Sequence, residues 1–378
     1  MLHGGEIYGN KHILYDFSIN INPLGLPQAV LRRLAGSREI LERYPDQECS
    51  RLRQALAVFT GLPSEKILCG NGASELIETA LRTIRPNRVV LTAPSFSGYR
   101  RAAENCGAKI SYHMLRREEN FALTERFLEE LERPGRIKEA EGEEMVILCS
   151  PANPVGNLID PSLLEKIAKT CEEKKIWLMV DECFLGFARD EQRRTMHRFL
   201  AGEDSNTGCS RLLVLDAFTK RFAMPGIRLG YLMAKDRELL RRIHEKQPEW
   251  NVSGLAQSVG LAALEEAGPY MEKARELICS ERLRMTWALE SMGFTVFLGE
   301  ANFIFFSVDP VKGLGKMADS GDLGAEHPAL ASALLEKGIL IRDCSNYPGL
   351  GQGYYRAAIK RPEENDVFLQ ALKEIVCM

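Results

Sequence analysis

Short apolar runs alternate with helix-like segments through the first two thirds of the chain. Six largely apolar runs predict buried strands, at 88–92, 109–113, 145–149, 176–180, 212–215 and 229–234. Segments such as 97–105 and 161–174 lie between them and repeat apolar residues at helical spacing. Strands that are apolar on both faces are typical of a parallel sheet covered by helices. The pattern predicts an α/β fold with a mostly parallel sheet.

The pattern changes after Trp250. Two helical segments, 253–267 and 269–292, lead into residues 295–308, whose Phe303-Ile304-Phe305-Phe306 run predicts a strand. The elements that follow are one helix, two short strands and a last helix, at 328–337, 339–342, 354–359 and 363–376. This part predicts a smaller α+β domain, and the glycine-rich stretch from Lys312 to Glu326 predicts a loop.

Asn22-Pro23 and Gly25 oppose helix, so the N-terminal arm (residues 1–30) is predicted to be extended. Two helices, over 27–36 and 48–60, come next along the chain. The expected division is the arm over 1–30, a large domain over 31–260 and a small C-terminal domain over 261–378. The arm could pack with either domain.

Lys220 lies in the stretch Asp216-Ala217-Phe218-Thr219-Lys220-Arg221, directly after the predicted strand at 212–215. A second strand begins near Leu229, which places the lysine in a turn between two buried strands. A lysine amine becomes a covalent catalyst when burial or a nearby cation lowers its pKa, and Arg228 is a candidate cation. A solvated loop lysine is the alternative, and this stretch alone does not decide between them.

Gly70-Asn71-Gly72-Ala73-Ser74 joins a short predicted strand at 67–69 to a helical pattern over 76–84. A glycine turn at a helix start leaves backbone N–H groups free at the positive end of the dipole, which suits a phosphate. Glu75 stands where a dinucleotide fingerprint needs its third glycine, which counts against NAD. A plain tight turn remains the alternative.

Composition narrows the possible partners. The 378 residues include 49 lysines and arginines against 52 acids, and the net charge of -3 gives no basis for attraction to nucleic acid or membrane surfaces. No apolar run approaches the roughly 18 residues that span a bilayer, and the N-terminus lacks a signal-peptide pattern. Ten cysteines without a C-x-x-C pair indicate reduced thiols and no structural zinc. We expect a cytoplasmic protein without a metal site.

Three polar residues each follow a predicted strand: Asn153, Asp181 and Lys220. In open parallel sheets, ligands bind outside the carboxyl ends of the strands. Singly, an Asp is often a helix cap and an Asn-Pro pair is often a turn. Together with the 70–74 turn they match one cofactor. Pyridoxal phosphate needs a lysine for its Schiff base, an acid on its pyridine nitrogen and a cradle for its phosphate.

With these residues the chain resembles the fold-type I pyridoxal-phosphate enzymes, in the subgroup of histidinol-phosphate aminotransferase and threonine-phosphate decarboxylase. The resemblance runs from His3 to the C-terminus and implies an aspartate aminotransferase-like fold. It implies that Lys220 forms the Schiff base and that Asp181 pairs with the pyridine nitrogen. By the same resemblance Asn153 bonds the ring hydroxyl and Phe96 stacks on the ring.

The resemblance also implies which residues bind the cofactor phosphate and the substrate. The phosphate would be bound by the glycine turn and by two later side chains, namely Gly72, Ala73, Ser74, Thr219 and Arg228. Tyr44 would reach it from a second subunit, which implies a homodimer. Arg356 would bind the substrate carboxylate as a bidentate partner. His3, Asn22 and Arg342 are the remaining substrate-binding residues, although a disordered terminus for His3 and an interdomain salt bridge for Arg342 are alternatives.

The His3-Gly4-Gly5 start, the Asn20–Gly25 segment, Phe184 and the segment around Arg342 resemble the decarboxylase more than the aminotransferase. The leading hypothesis is decarboxylation of a phosphorylated amino acid, O-phospho-L-threonine in corrinoid synthesis. The alternative is an aminotransferase of the histidinol-phosphate type that uses 2-oxoglutarate. A third hypothesis is a binding module without a cofactor, against which the retained lysine and acid argue. Ala217 departs from the subgroup, where a Ser or Thr commonly contacts the phosphate.

Overall fold

The computed structural model describes residues 4–5, 7–8, 12–132, 142–201, 209–308 and 330–377. The strands in chain order are β1 Tyr15–Asp16, β2 Ile67–Gly70, β3 Arg88–Ala93, β4 Lys109–Met114, β5 Glu144–Cys149, β6 Trp177–Asp181, β7 Leu212–Ala217, β8 Gly230–Ala234, β9 Phe294–Phe297, β10 Phe303–Val308, β11 Ile339–Leu340, β12 Arg342–Asp343 and β13 Tyr354–Ala358.

The α-helices are numbered in the same way. They are α1 Gln28–Ala35, α2 Arg38–Leu41, α3 Ser50–Thr60, α4 Ala73–Ile84, α5 Ser97–Asn105, α6 Glu125–Glu132, α7 Pro161–Glu173, α8 Glu191–Arg194, α9 Phe218–Arg221, α10 Arg237–His244, α11 Gly254–Glu265, α12 Ala267–Ser291, α13 Leu330–Glu336 and α14 Pro362–Cys377. None of these helices is both long and apolar enough to cross a bilayer.

Seven strands form the large sheet, in the order β2-β8-β7-β6-β5-β3-β4. The strands from β7 to β4 run parallel, while β8 is antiparallel to both β7 and β2. Two antiparallel steps restore the original direction, so β2 points the same way as β7. The carboxyl ends of β2, β5, β6 and β7 therefore meet at one edge, and the predicted mostly parallel sheet is confirmed.

Both faces of the large sheet are covered. Val146 and Leu148 of β5 pack in one apolar core, whereas Met145 and Ile147 pack in another on the opposite face. Side chains alternate along a strand, so a strand buried on both faces appears in the sequence as a continuous apolar run. This is why the strands of the large sheet could be recognised from composition.

The C-terminal part contains an antiparallel sheet in the order β12-β13-β10-β9. The N-terminal arm joins this part, because β1 pairs in parallel with β11. Phe17 extends the connection: its N–H donates to the Leu340 carbonyl (2.7 Å) and its carbonyl accepts from the Ala358 N–H (2.8 Å). The division at residue 260 stays a prediction, and residue 260 lies within α11.

The strand predicted at Phe303–Phe306 is confirmed within β10, whereas β9, which pairs with β10 antiparallel, was not predicted. One other predicted strand has wrong boundaries. The strand expected at 339–342 divides at Ile341, because β11 pairs with the arm and β12 with β13. The highly charged α6 and α10 were not predicted. The loop expected over 312–326 lies outside the described residues.

Candidate active site

A cavity of about 240 Å³ lies at the carboxyl ends of the large-sheet strands, with walls from the N-terminal arm and the small sheet. Many of the predicted site residues line it together. They are Ala73, Ser74, Phe96, Asn153, Asp181, Thr219, Lys220, Arg228, Arg342 and Arg356. The structure therefore brings together side chains from both ends of the chain.

Lys220 lies in α9, a single helical turn that follows β7, and not in the non-helical turn expected from the sequence. Its Nζ atom lies 5.9 Å from the centroid of the Phe184 ring. Within the part of the chain that the structure describes, its amine has no hydrogen-bond or ion-pair partner. Burial lowers the pKa of Lys220 to about 8, and the Arg356 cation adds to this more than Arg228 does. The amine is thus prepared for nucleophilic chemistry.

Asp181 ends β6 and is buried. Its Oδ2 atom accepts a 2.6 Å hydrogen bond from the Tyr99 hydroxyl, and its Oδ1 atom accepts from the Cys183 N–H at 3.0 Å. Burial raises the pKa of Asp181, although these two donors oppose the shift. Sequence reasoning missed Tyr99, which follows Phe96 by three residues and meets its ring edge-to-face at 5.4 Å.

Asn153 and Arg356 are hydrogen-bonded to each other in the cavity. The Asn153 Oδ1 atom accepts from Arg356 Nη1 at 2.5 Å, and Arg356 Nη2 donates to the Ser18 carbonyl at 2.7 Å. Arg356 also lies over the Phe303 ring, 5.3 Å from its centroid. These contacts orient the guanidinium and couple the large sheet, the arm and the small sheet at one point.

Arg342 and Arg356 are directly opposite each other on β12 and β13. They are 3% and 5% exposed, and both line the cavity. Like charges opposite each other on one sheet face are destabilising, since cross-strand side chains lie side by side. Tyr347 packs against Arg342, with the guanidinium 5.1 Å from the ring centroid. Two buried guanidinium groups at such a position indicate a site for an anion.

The glycine turn meets the cavity where α4 begins. Gly72 is the N-cap residue at φ 82°, and no side chain caps the helix. A Cβ atom on Gly72 would lie 2.8 Å from Arg228 Nη2, so the turn and the guanidinium are packed tightly. Arg228 itself has φ 57° and donates to the Pro225 carbonyl. An uncapped helix N-terminus beside an arginine is suited to bind a phosphate.

The structure places Asn20 where the sequence prediction placed Asn22. Asn22 does not line the cavity: its amide donates to the Arg221 carbonyl (2.9 Å) and its Oδ1 atom accepts from the Leu24 N–H (3.1 Å). Asn20 lines the cavity and is 2% exposed, and among the described residues its Oδ1 atom has no hydrogen-bond partner. Side-chain direction in an arm without repeating structure cannot be read from the Asn-Ile-Asn sequence.

Two other predicted residues lie elsewhere. Tyr44 is 82% exposed and packs on Trp250, at 4.8 Å between ring centroids, outside the cavity of its own chain. His3 lies outside the described residues. Gly4 lines the cavity, and the Gly5 N–H donates to the Ser18 hydroxyl at 2.8 Å.

This set of residues fits pyridoxal phosphate. An amine without a partner, a buried carboxylate and an uncapped helix start face one cavity, and these groups match the aldehyde, the ring nitrogen and the phosphate of the cofactor. The fold and the site define a pyridoxal-phosphate-dependent enzyme of the aspartate aminotransferase-like class.

Comparison with known proteins agrees. Residues 12–372 match the model of the family described as aminotransferase class I and II. The chain is 34% identical to threonine-phosphate decarboxylase from Salmonella typhimurium, over 99% of this chain and 96% of that protein. It is 31% identical to a histidinol-phosphate aminotransferase from Desulfitobacterium hafniense, over 94% and 90% of the two chains.

Among solved structures, the histidinol-phosphate aminotransferase from Clostridium acetobutylicum superposes with a TM-score of 0.82. It is 31% identical to this chain and covers 96% of it, and 99% of that chain is matched. The chain belongs to the aminotransferase class I and II family, which depends on pyridoxal phosphate. Relatives of both reaction types are present at similar identity, so the family does not by itself separate decarboxylation from amino transfer.

Proposed function

We propose that the protein decarboxylates a phosphorylated amino acid, with O-phospho-L-threonine as substrate. The opposed, buried pair Arg342 and Arg356 carries the proposal. The cofactor phosphate would be bound separately, by Ser74, Thr219 and Arg228. Two further guanidinium groups in the same cavity suit a substrate that brings a carboxylate and a second phosphate.

The bound cofactor supplies an electron-withdrawing ring that weakens bonds at the substrate Cα atom. Asp181 would hold the proton on the ring nitrogen, and Tyr99 would keep the carboxylate ionised and oriented. Asn153 would bond the ring hydroxyl, and Phe96 would pack on the ring. Ala73, Ser74, Thr219 and Arg228 would bind the cofactor phosphate.

Substrate residues lie on the other wall. Arg356 would bind the carboxylate, while Arg342 would bind the substrate phosphate. The Oδ1 atom of Asn20 accepts hydrogen bonds only, so it would pair with a donor of the substrate, such as its amine. Lys220 would bind the cofactor covalently in the resting enzyme. With a pKa of about 8, its amine is partly protonated near neutral pH, so it would deliver a proton to the Cα atom after the carboxylate has left as carbon dioxide.

Amino transfer to 2-oxoglutarate is the second candidate, favoured by the Clostridium acetobutylicum structure and by the Desulfitobacterium hafniense relative. The purified protein should be incubated with O-phosphothreonine while carbon dioxide is measured. A parallel reaction with histidinol phosphate and 2-oxoglutarate should be assayed for glutamate. Carbon dioxide without glutamate supports decarboxylation, and glutamate without carbon dioxide would replace the proposal by the second candidate.

The proposal includes a homodimer in which Tyr44 reaches the cofactor phosphate of the partner subunit. In support, Tyr44 and Trp250 are both exposed and pack on each other. Exposed apolar side chains that lie together commonly mark an interface.

A further inference from the structure

A buried ion-pair network adjoins Lys220 in the chain. Arg221 is 4% exposed, and its Nη2 atom lies 2.8 Å from Asp216 Oδ2 and 2.6 Å from Glu191 Oε1. Asp216 also accepts a 2.8 Å hydrogen bond from the Tyr231 hydroxyl on β8. Glu191 lies 3.5 Å from Arg275 of α12. Two carboxylates and two guanidinium groups therefore balance in charge.

The Asp216–Arg221 ion pair brackets Lys220. Asp216 belongs to β7 and Arg221 is the last residue of α9, so the pair closes a loop that contains the lysine. A single helical turn is not stable on its own, because helix nucleation is unfavourable. Contacts from outside must hold α9 in place.

Those contacts converge on Arg221. The Asn22 amide donates to its carbonyl at 2.9 Å. A Cβ atom on Gly186 would lie 2.5 Å from Arg221 Nη1, so the guanidinium is enclosed without spare room. The backbone on one side and the guanidinium on the other are both fixed.

Neither Asp216 nor Arg221 lines the cavity. Burial, Arg356 and Arg228 account for the lowered pKa of Lys220, and neither member of the pair is among its leading causes. Buried ion pairs also add little net stability, because desolvation offsets their attraction. A geometric role explains the network better than an electrostatic or a stabilising one.

We propose that Asp216 and Arg221 are positioning residues that hold α9 so that the Lys220 amine meets the aldehyde carbon of the cofactor. The inference rests on the proposed role of Lys220. A reacting group must be held within about 0.5 Å of its productive position, and a displacement of about 1 Å costs on the order of 100-fold in rate.

The test compares covalent attachment with non-covalent binding. The double variant D216N/R221Q removes both charges of the pair together and leaves Glu191 with Arg275. Pyridoxal phosphate reports attachment through its absorbance band and its fixation by borohydride. Pyridoxamine 5′-phosphate carries the same ring and phosphate without an aldehyde, so it reports the pocket alone.

We expect attachment to slow by about tenfold or more in D216N/R221Q, while pyridoxamine phosphate affinity stays within about twofold of wild type. R88Q/E144Q is the matched control, because Arg88 and Glu144 form a buried 2.7 Å pair where β3 and β5 begin. This control should change neither the rate of attachment nor the affinity for pyridoxamine phosphate. If D216N/R221Q does not fold, R221K serves instead, because it removes the planar guanidinium, whose Nη1 atom packs against Gly186 and whose Nη2 atom contacts both carboxylates.

Attachment at the wild-type rate in a folded D216N/R221Q or R221K protein would overturn the inference. An equal loss of the attachment rate and of the affinity for pyridoxamine phosphate would also overturn the inference. That result would indicate that the variant damages the whole cofactor pocket and not the position of Lys220 alone. The variant Lys220→Ala distinguishes failure of this inference from failure of the proposed role of Lys220. Attachment that survives in this variant would remove the proposed role of Lys220 and the inference with it.

Discussion

The hydroxyl of Tyr99 donates a 2.6 Å hydrogen bond to Oδ2 of the buried carboxylate of Asp181. If Asp181 pairs with the ring nitrogen of the cofactor as proposed, removal of this donor should destabilise the ionised carboxylate and weaken that pairing. A hydrogen bond to a charged group contributes about 1.5–3 kcal/mol, so we expect Tyr99→Phe to bind pyridoxal phosphate at least about tenfold more weakly.

Absorbance titration with the cofactor checks this expectation. Tyr112→Phe is the control, since the Tyr112 hydroxyl on β4 is buried and has no hydrogen-bond partner in the described part of the chain. Equal affinities in the two variants would show that Asp181 does not depend on Tyr99.

The amine of Lys220 should titrate well below an ordinary lysine. Burial and the Arg356 cation disfavour the ammonium form and lower its pKa to about 8 from an ordinary 10.5. Only the neutral amine attacks electrophiles, so labelling of the apoenzyme amine should rise with pH and reach half its maximum near pH 8. Arg356→Gln should move this midpoint upward, because one repelling cation is lost.

Peptide mapping of the label across pH gives the midpoint, and Lys220→Ala should lose the labelled site. A midpoint near that of the exposed lysines would contradict the burial argument.

Ala217 should be replaceable by a better phosphate ligand. It is 1% exposed, lines the cavity and lies two residues before Thr219. Ala217→Ser adds a hydroxyl, and a new hydrogen bond contributes about 1 kcal/mol, so the cofactor should bind about fivefold more tightly. Dissociation of the cofactor under dilution measures the change. Weaker binding would mean that the added hydroxyl makes no hydrogen bond with the phosphate.

Glu182 should make stability fall as pH rises. Burial, with smaller contributions from Asp216 and Glu191, raises its pKa to about 8 despite hydrogen bonds from the Met196 N–H and the Thr195 hydroxyl. From its ordinary 4.5 up to about 8, the folded state holds a proton that the unfolded state has released. The free energy of unfolding therefore decreases with pH in this window, by up to about 1.4 kcal/mol per unit for this one group.

Glu182→Gln cannot titrate, so its urea unfolding curves at about pH 5 and about pH 8 should differ less than those of wild type. The same pH dependence in variant and wild type would assign the proton elsewhere.

Tyr44 should act across a dimer interface. Lys220→Ala and Tyr44→Phe damage the same site from different subunits, so one site of each hybrid dimer is intact. At limiting cofactor, equal mixing after subunit exchange should restore about a quarter of wild-type activity, given random pairing. No gain over the parents would place Tyr44 in its own subunit or outside the site.

Sequence patterns located Asn153, Asp181 and Lys220 because each ends or closely follows a strand of the large sheet, and β5, β6 and β7 are neighbours in that sheet. Continuous apolar strands are easy to recognise, and strand ends follow from them. The assignment of Arg356 and Arg342 came from resemblance, since nothing in the local pattern places β12 and β13 against the cavity.

Other residues depend on contacts that no local pattern contains. Asn20 and Asn22 differ only in side-chain direction. Tyr99 reaches Asp181 from another element, and Arg221 meets Glu191 across a loop. The short strand β11 is too brief to show a period, and its pairing with β1 joins residues from opposite ends of the chain.

The pairing of β1 with β11 has a consequence for synthesis of the chain. The partners of Tyr15 and Asp16, which are Ile339 and Leu340, are synthesised about 300 residues later. At roughly 5–20 residues per second the arm waits on the order of tens of seconds for its partner strand. Ser18 and Asn20 follow the arm strand directly, so the part of the cavity wall that the arm provides is completed only after β11 has been made. A nascent chain that stops before β11 can carry Lys220 and Asp181 but not a closed site.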